Sequence, residues 1–119
     1  MKVKTEKDII EQKNEAYFIK RCKANGIWEC KFTSGITGVP DRIAVKNGKV
    51  AFVELKRPRN GRPSARQIFE LKILRNHGVK AEIAKNHREI DAIIDYLNEG
   101  SEQNAGMATD VEKRETDSC

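Results

Sequence analysis

GVPDRIAVKNGKVAFVELKRP, residues 38–58, decides the fold, because two apolar runs flank a central Asn-Gly pair. Asn47-Gly48 is typical of a two-residue type I′ turn, in which both residues adopt positive φ angles. The apolar runs on either side have the length and composition of strands. The stretch therefore predicts a β-hairpin, with strands over Asp41–Lys46 and Lys49–Lys56.

Three charged residues interrupt the apolar pattern of this hairpin: Asp41, Glu54 and Lys56. Side chains alternate between the two faces of a strand, so Glu54 and Lys56, two residues apart, project from the same face. If Lys46 pairs with Lys49 across the turn, simple counting places Asp41 opposite Glu54. The hairpin thus predicts that two carboxylates and one ammonium group share a space at the end of a strand.

Two carboxylates beside an ammonium group suit a hard divalent cation, because Mg²⁺ binds carboxylates together with water and phosphate oxygens. A lysine beside such a metal can orient water and stabilise charge on a phosphate, which is the layout of a phosphodiester-cleaving site. Charged residues also protect exposed edge strands from aggregation, and this is the competing interpretation. The apolar run before Glu54 and the extended entry imposed by Pro40 favour a central strand and hence a functional site.

Hydrophobic periodicity outside the hairpin predicts three helices and two further strands. We expect helices over residues 6–25, 65–76 and 88–98, the second beginning after an N-cap at Ser64. We expect strands over residues 27–33 and 79–85, the latter half-buried by strict alternation. The predicted order is α-β-β-β-α-β-α, an α/β domain formed by residues 1–99.

Charge divides the chain into two parts. Residues 1–99 hold 21 Lys and Arg against 13 Asp and Glu, whereas residues 100–119 hold 2 against 5. The second part lacks apolar periodicity, so we predict a disordered acidic tail. A basic domain suits a polyanion such as nucleic acid. No apolar run is long enough for a bilayer or a signal sequence, and the three cysteines lack metal-ligand spacing; we therefore expect a cytoplasmic protein without membrane association, disulfides or structural zinc.

These motifs resemble the PD-(D/E)xK nuclease superfamily and, within it, the VRR-NUC domain family. The matching stretches are KFTSGITGVPDRIAV, VAFVELKRP and PSARQ, and the resemblance extends over residues 10–97. It implies a restriction-endonuclease-like fold, in which the α-β-β-β-α-β-α core forms a central mixed sheet flanked by helices. It also implies an endonuclease that hydrolyses DNA phosphodiester bonds with Mg²⁺ or Mn²⁺ as cofactor.

The resemblance assigns the hairpin residues specific roles. Asp41 and Glu54 become metal ligands, with the backbone carbonyl of Leu55 as a third, and Lys56 becomes the catalytic lysine. The same comparison therefore gives the charged end of the hairpin a catalytic purpose.

Further residues follow from the same resemblance. Gln67 matches a glutamine of the family that positions water or phosphate, and Glu15 matches a glutamate on the first helix that faces the metal. Glu11, one helical turn earlier, is the alternative to Glu15. We also expect polar and basic residues near the site to contact nucleic acid: Lys31, Ser34, Arg42, Arg57, Arg59, Arg62 and Arg66.

Stand-alone members of this family resemble dimeric junction-resolving nucleases. The resemblance thus implies a homodimer that acts on branched, Holliday-junction-like DNA, and a phage-encoded protein that acts in the host cytoplasm. Two alternatives stay open: a nucleic-acid-binding module with a vestigial metal site, and a nuclease that cuts RNA. The intact set of Asp41, Glu54 and Lys56 disfavours the first. These groups act on phosphate and do not recognise the 2′-hydroxyl, so they do not separate DNA from RNA.

Overall fold

The computed structural model describes residues 6–57 and 61–100, with side chains from residue 13 onward. The order of its elements confirms the predicted α-β-β-β-α-β-α arrangement. The tail predicted to be disordered falls, beyond Gly100, outside the described residues. None of the described helices is both long and apolar enough to cross a membrane. The elements are α1 Glu6–Ala24, β1 Trp28–Lys31, β2 Arg42–Lys46, β3 Lys49–Leu55, α2 Ala65–Asn76, β4 Lys80–Ala84 and α3 His87–Asn98.

β2 and β3 form the predicted hairpin. Lys46 lies opposite Lys49, and Asn47 and Gly48 between them have φ angles of 55° and 76°. Positive φ at both turn residues is the requirement of a type I′ turn, whose twist matches that of the flanking strands. The turn therefore sets the register of the whole hairpin, as the sequence predicts.

The sheet is mixed and has the strand order β1-β2-β3-β4. β1 pairs with β2 and β2 with β3 in antiparallel fashion, whereas β4 runs parallel to β3. A parallel neighbour needs a crossover connection, and α2 supplies it between β3 and β4. The C-terminal ends of β3 and β4 consequently lie together at one end of the sheet, next to the start of β2.

One face of the sheet, here called the helical face, is buried by α1 and α3. Its strand residues include Ala44, Val53 and Leu55, which form one apolar cluster with Phe18 of α1 and Ile90 of α3. Cross-strand partners and every second residue share a face, so the members of this set are brought together by the strand period of two. This cluster is the hydrophobic core of the described residues.

The opposite face, here called the site face, carries Phe52 and Glu54 of β3 and Ile43 of β2. α2 packs against β4 on this side, where Ala81, the partner of Phe52, is completely buried. Ala84 is also completely buried, although it lies three residues along and therefore on the helical face. The alternation predicted for β4 is wrong in this respect, because α2 covers one face of the strand and α3 the other.

Candidate active site

Glu54 and Lys56 lie at the C-terminal end of β3, on the site face. Their side chains are 13% and 18% exposed, and Nζ of Lys56 lies 3.8 Å from Oε2 of Glu54. Opposite charges interact more strongly where little water screens them, so this half-buried pair is better coupled than a pair on the open surface. The structure thus places a carboxylate and an ammonium group side by side where the sequence predicts them.

Asp41 lies directly before β2 and, by the hairpin register, across from Glu54. Buried Pro40 precedes Asp41. The carbonyl of Asp41 accepts a hydrogen bond of 2.7 Å from the N–H of Phe32, which extends the pairing of β1 with β2. Residues directly opposite each other in an antiparallel pair have Cβ atoms about 4.5–5.5 Å apart. Extension of the register by one residue beyond Arg42 and Val53 thus puts the two carboxylates opposite each other, which is the arrangement that the sequence predicts for a shared cation.

Extension of the register by one further residue places Leu55 opposite Pro40. The N–H of Lys56 donates to the carbonyl of Ala84 at 2.9 Å, so the backbone groups of Lys56 point toward β4. By alternation, the carbonyl of Leu55 points the other way, toward the start of β2. Proline has no N–H, so Pro40 cannot donate to this carbonyl as another residue would. The Leu55 oxygen therefore receives no hydrogen bond from Pro40 and stays the predicted third ligand.

These oxygens fit a hard divalent cation. Mg²⁺ takes oxygen ligands and keeps several of its waters, so two carboxylates and one carbonyl are sufficient protein ligands. Among the residues that the structure describes, no three His, Cys, Asp or Glu side chains come together as a cluster. The candidate set therefore consists of Asp41, Glu54 and the backbone oxygen of Leu55.

Arg42 lies on the helical face, because it follows Asp41 and neighbours in a strand alternate. Its side chain is 12% exposed, and its guanidinium contacts two carboxylates, with Nη1 2.7 Å from Glu29 and Nη2 3.3 Å from Glu15. Burial disfavours the charge, but hydrogen bonds and opposite charge from Glu29 and Glu15 outweigh it and raise the pKa of Arg42. Arg42 and Glu15 thus contact each other in this structure, while the predicted roles of Arg42 toward nucleic acid and of Glu15 toward the metal stay predictions.

Gln67 closes the first turn of α2. Its N–H donates to the hydroxyl of Ser64 at 3.1 Å, and its side-chain oxygen accepts from the N–H of Ser64 at 2.9 Å. This reciprocal arrangement is a capping box, which satisfies N–H groups that a helix start otherwise leaves open. The side-chain oxygen is therefore occupied, and the amide NH₂ is the group left for water or phosphate. Glu11, the alternative to Glu15, has its side chain outside the described residues.

The loop between β1 and β2 closes against the start of α2. Gly38 has a φ of +97°, and a Cβ at this position would lie 2.7 Å from backbone atoms of Arg66. Ser34, a predicted phosphate contact, accepts a hydrogen bond of 2.9 Å from the N–H of Ile36 within the loop. The small residues of this loop thus permit close packing beside the candidate site.

The predicted basic contacts divide between the two faces. Lys31 is exposed and pairs with Arg42, which places it on the helical face. Arg62 and Arg66 are exposed around the start of α2, and Arg57 is half-buried directly after Lys56. Arg59 lies outside the described residues. The arginines after β3 are therefore the part of the predicted set that lies nearest the Glu54–Lys56 pair along the chain.

Asn14 of α1 is a residue that the sequence analysis missed. It is 4% exposed, and its side-chain nitrogen donates to the backbone carbonyls of Lys56 at 3.1 Å and Lys85 at 2.8 Å. The signal was its spacing: Asn14 lies four residues before Phe18 and eight before Cys22, both buried. A polar residue on the buried stripe of a helix needs hydrogen-bond partners, which predicts an internal role.

No protein-family model and no curated protein sequence matches this chain. Among solved structures, one described as a VRR_NUC domain is similar, with a TM-score of 0.66, a match probability of 1.00 and 26% sequence identity. The match covers 71% of this chain and 94% of that chain. It confirms the predicted restriction-endonuclease-like fold, a mixed four-stranded sheet flanked by helices. This structural match supports the membership in the VRR-NUC domain family, a nuclease family of the PD-(D/E)xK type, that the sequence motifs predict.

Proposed function

We propose that this protein is a divalent-metal-dependent endonuclease that hydrolyses phosphodiester bonds in DNA. The observation that carries the proposal is the pair of Glu54 and Lys56, 3.8 Å apart at the end of β3, with Asp41 across the hairpin. A buried strand that ends in a carboxylate and an ammonium group needs a reason, since charges at such positions are costly unless they are paired. Phosphodiester cleavage supplies that reason.

Each residue of the site has a role in this proposal. Asp41, Glu54 and the carbonyl of Leu55 would hold Mg²⁺ or Mn²⁺. When bound, the metal supplies positive charge to the phosphate and lowers the pKa of a water molecule. Lys56 donates hydrogen bonds to the attacking water or to a phosphate oxygen and stabilises the negative charge that develops during in-line attack. Glu54 also keeps the Lys56 ammonium in place through their contact.

The DNA backbone is proposed to pass over the arginines that follow β3. Arg57 and Arg62 lie between Lys56 and α2, Arg66 lies in the first turn of α2, and Arg59 belongs to the same stretch of sequence. Guanidinium groups bind phosphate through two parallel hydrogen bonds, and each such contact releases counterions from DNA. Binding should therefore weaken steeply as the salt concentration rises.

A homodimer is proposed because one chain offers one such site, and cutting both strands of branched DNA is easiest with two. The site face offers an apolar patch for the second copy: Trp28, Val45 and Val50 are cross-strand neighbours, and Trp28 and Val50 are 50% and 36% exposed. Light scattering should give a dimer mass for the parent and a monomer mass for Trp28→Glu. Ile36→Glu changes an equally exposed apolar residue in a loop and should stay dimeric. A parent that is monomeric at every concentration would contradict this part of the proposal.

A cleavage assay tests the function. The protein is incubated with labelled four-way DNA junctions, duplex DNA, single-stranded DNA and RNA, with Mn²⁺, with Mg²⁺ or with a chelator. We expect metal-dependent cleavage of DNA that falls by at least about 10²-fold in Lys56→Met. Lys72→Met, which changes an exposed lysine on α2, is the matched control and should cleave as the parent does.

Three outcomes of this assay would count against the proposal. Cleavage that persists in Lys56→Met would remove Lys56 from the mechanism. Binding without cleavage by the parent would favour the nucleic-acid-binding module, and faster cleavage of RNA would favour the RNA nuclease. Phage origin and action in a host cytoplasm stay predictions from the family resemblance.

A further inference from the structure

We infer that Asn14 is a positioning residue for Lys56, an inference that rests on the proposed nuclease function. Asn14 lies on α1, and its side chain is buried against the ends of β3 and β4. Its amide nitrogen donates one hydrogen to the carbonyl of Lys56 and the other to the carbonyl of Lys85, at 3.1 Å and 2.8 Å. A single side chain thus joins the helix to the ends of two strands, at the end of the sheet that carries the candidate site.

These bonds complete the backbone contacts of Lys56. Lys56 lies one residue beyond the end of β3, and its N–H donates to the carbonyl of Ala84 at 2.9 Å. Its carbonyl accepts from Asn14, so the two backbone polar groups of this residue are both held. What remains free to vary is the side chain of Lys56, whose ammonium lies 3.8 Å from Glu54.

The chemistry of the two partners explains why an asparagine stands at this position. Both neighbours are carbonyl oxygens, which accept and never donate, so a side chain satisfies them together only if it carries at least two donor hydrogens, as the NH₂ group of asparagine does. Aspartate has the same shape without donors, alanine has no polar atom, and serine can donate one bond at most. The residue at position 14 therefore decides whether the Lys56 carbonyl has a partner inside the protein.

The neighbouring residue extends this connection. Glu15 contacts Arg42 at the start of β2, so two consecutive residues of α1 hold the ends of three adjacent strands. Displacement of a reacting group by about 1 Å can cost about 10²-fold in rate. Asn14 thus acts on catalysis through the position of Lys56, without touching the substrate.

Kinetics with matched variants test the inference. Asn14→Ala and Asn14→Ser are compared with the parent and with Asn25→Ala, on a labelled DNA junction with Mn²⁺. Asn25 is a half-buried asparagine that also donates to a backbone carbonyl, that of Arg21 at 2.8 Å, but it lies at the hairpin end of the sheet, away from the site.

The assay temperature is chosen so that circular dichroism shows every variant to be folded. We expect kcat to fall about 10²-fold in Asn14→Ala with KM unchanged, to fall less in Asn14→Ser, and to stay at the parent value in Asn25→Ala. A purely structural role would lower the melting temperature and leave kcat per folded molecule within about twofold of the parent, which would overturn the inference.

A second measurement does not depend on activity. Hydrogen exchange of the Lys56 amide should be slow in the parent and at least about 10-fold faster in Asn14→Ala, with no change in Asn25→Ala. If the parent does not cleave DNA, the proposed function fails while the exchange rates still decide whether Asn14 fixes Lys56. If Asn14→Ala does not fold, Asn14→Ser carries both comparisons. Unchanged exchange at Lys56 in a folded Asn14 variant would overturn the inference.

Discussion

Replacement of Arg42 by methionine should lower the free energy of unfolding by about 3–5 kcal/mol. The side chains of Arg42 and Glu29 are 12% and 8% exposed, and their charged atoms lie 2.7 Å apart. Arg42→Met would leave the Glu29 carboxylate buried without its counter-ion, and breaking a buried pair from one side typically costs this amount. A domain of this size has a total stability of about 5–15 kcal/mol, so the loss would take a large share of it.

Urea unfolding followed by circular dichroism and by Trp28 fluorescence measures this loss. The double variant Arg42→Met, Glu29→Met removes both charges and should regain much of the stability, because apolar residues often replace a buried ion pair at little cost. Glu15→Gln is the control on the same guanidinium. Its carboxylate is 40% exposed and lies 3.3 Å from Arg42, so its loss should cost about 1 kcal/mol or less.

The opposite result would refute this reasoning. If Arg42→Met costs less than about 1 kcal/mol and the double variant recovers nothing, the pair of Arg42 and Glu29 is solvated and not structural. If Arg42 contacts phosphate instead, Arg42→Met should keep the stability of the parent while its affinity for DNA and the salt dependence of that affinity both fall. Stability and binding therefore separate the two roles.

Three further changes test other parts of the fold. Gly38→Ala should lower the free energy of unfolding in urea by about 1–3 kcal/mol, since the φ of Gly38 is +97° and the new Cβ would collide with the backbone of α2. The control is Gly48→Ala, where φ is +76° but the space around the new Cβ is open, and it should cost about 1 kcal/mol. Ser64→Ala should cost about 0.5–2 kcal/mol by removing the N-cap of α2, and an unchanged melting temperature would contradict the capping box. Burial raises the pKa of the Cys22 thiol from 9.0 to about 12, so the stability contributed by burying the neutral thiol is fully present below pH 9 and is lost at up to about 1.4 kcal/mol per pH unit between pH 9 and 12. In urea titrations over that range, the free energy of unfolding should therefore decline less steeply in Cys22→Ala than in the parent.

The parts of the fold that depend on neighbours in sequence were predictable. Asn47-Gly48 fixes the turn, the turn fixes the register, and the register puts Asp41 across from Glu54. The capping role of Gln67 was also present in the sequence, because Ser64 and Gln67 have the Ser-x-x-Gln spacing of a capping box. The family resemblance instead led to the prediction that Gln67 positions water or phosphate.

The parts that depend on distant residues were not predictable. Strand alternation places Arg42 on the face opposite Glu54, but it does not show that Glu29 and Glu15 contact Arg42 on that face. The bonds of Asn14 join residues 42 and 71 positions apart, and no local periodicity records such a contact. These side chains gain their roles only when the helix and the strands have packed.

α1 is synthesised before the strands and before α3, with which it packs. Phe18 packs with Ile90 and Ile94 of α3, and Asn14 bonds to Lys85, so the core lacks one of its sides until nearly the whole domain has been synthesised. The β2–β3 hairpin can form early because its contacts are local, whereas α1 must wait through the synthesis of the sheet. A nascent chain that ends before α3 would thus leave Phe18 and Cys22 of α1 without part of the core that buries them, and exposed apolar surface of this kind favours aggregation.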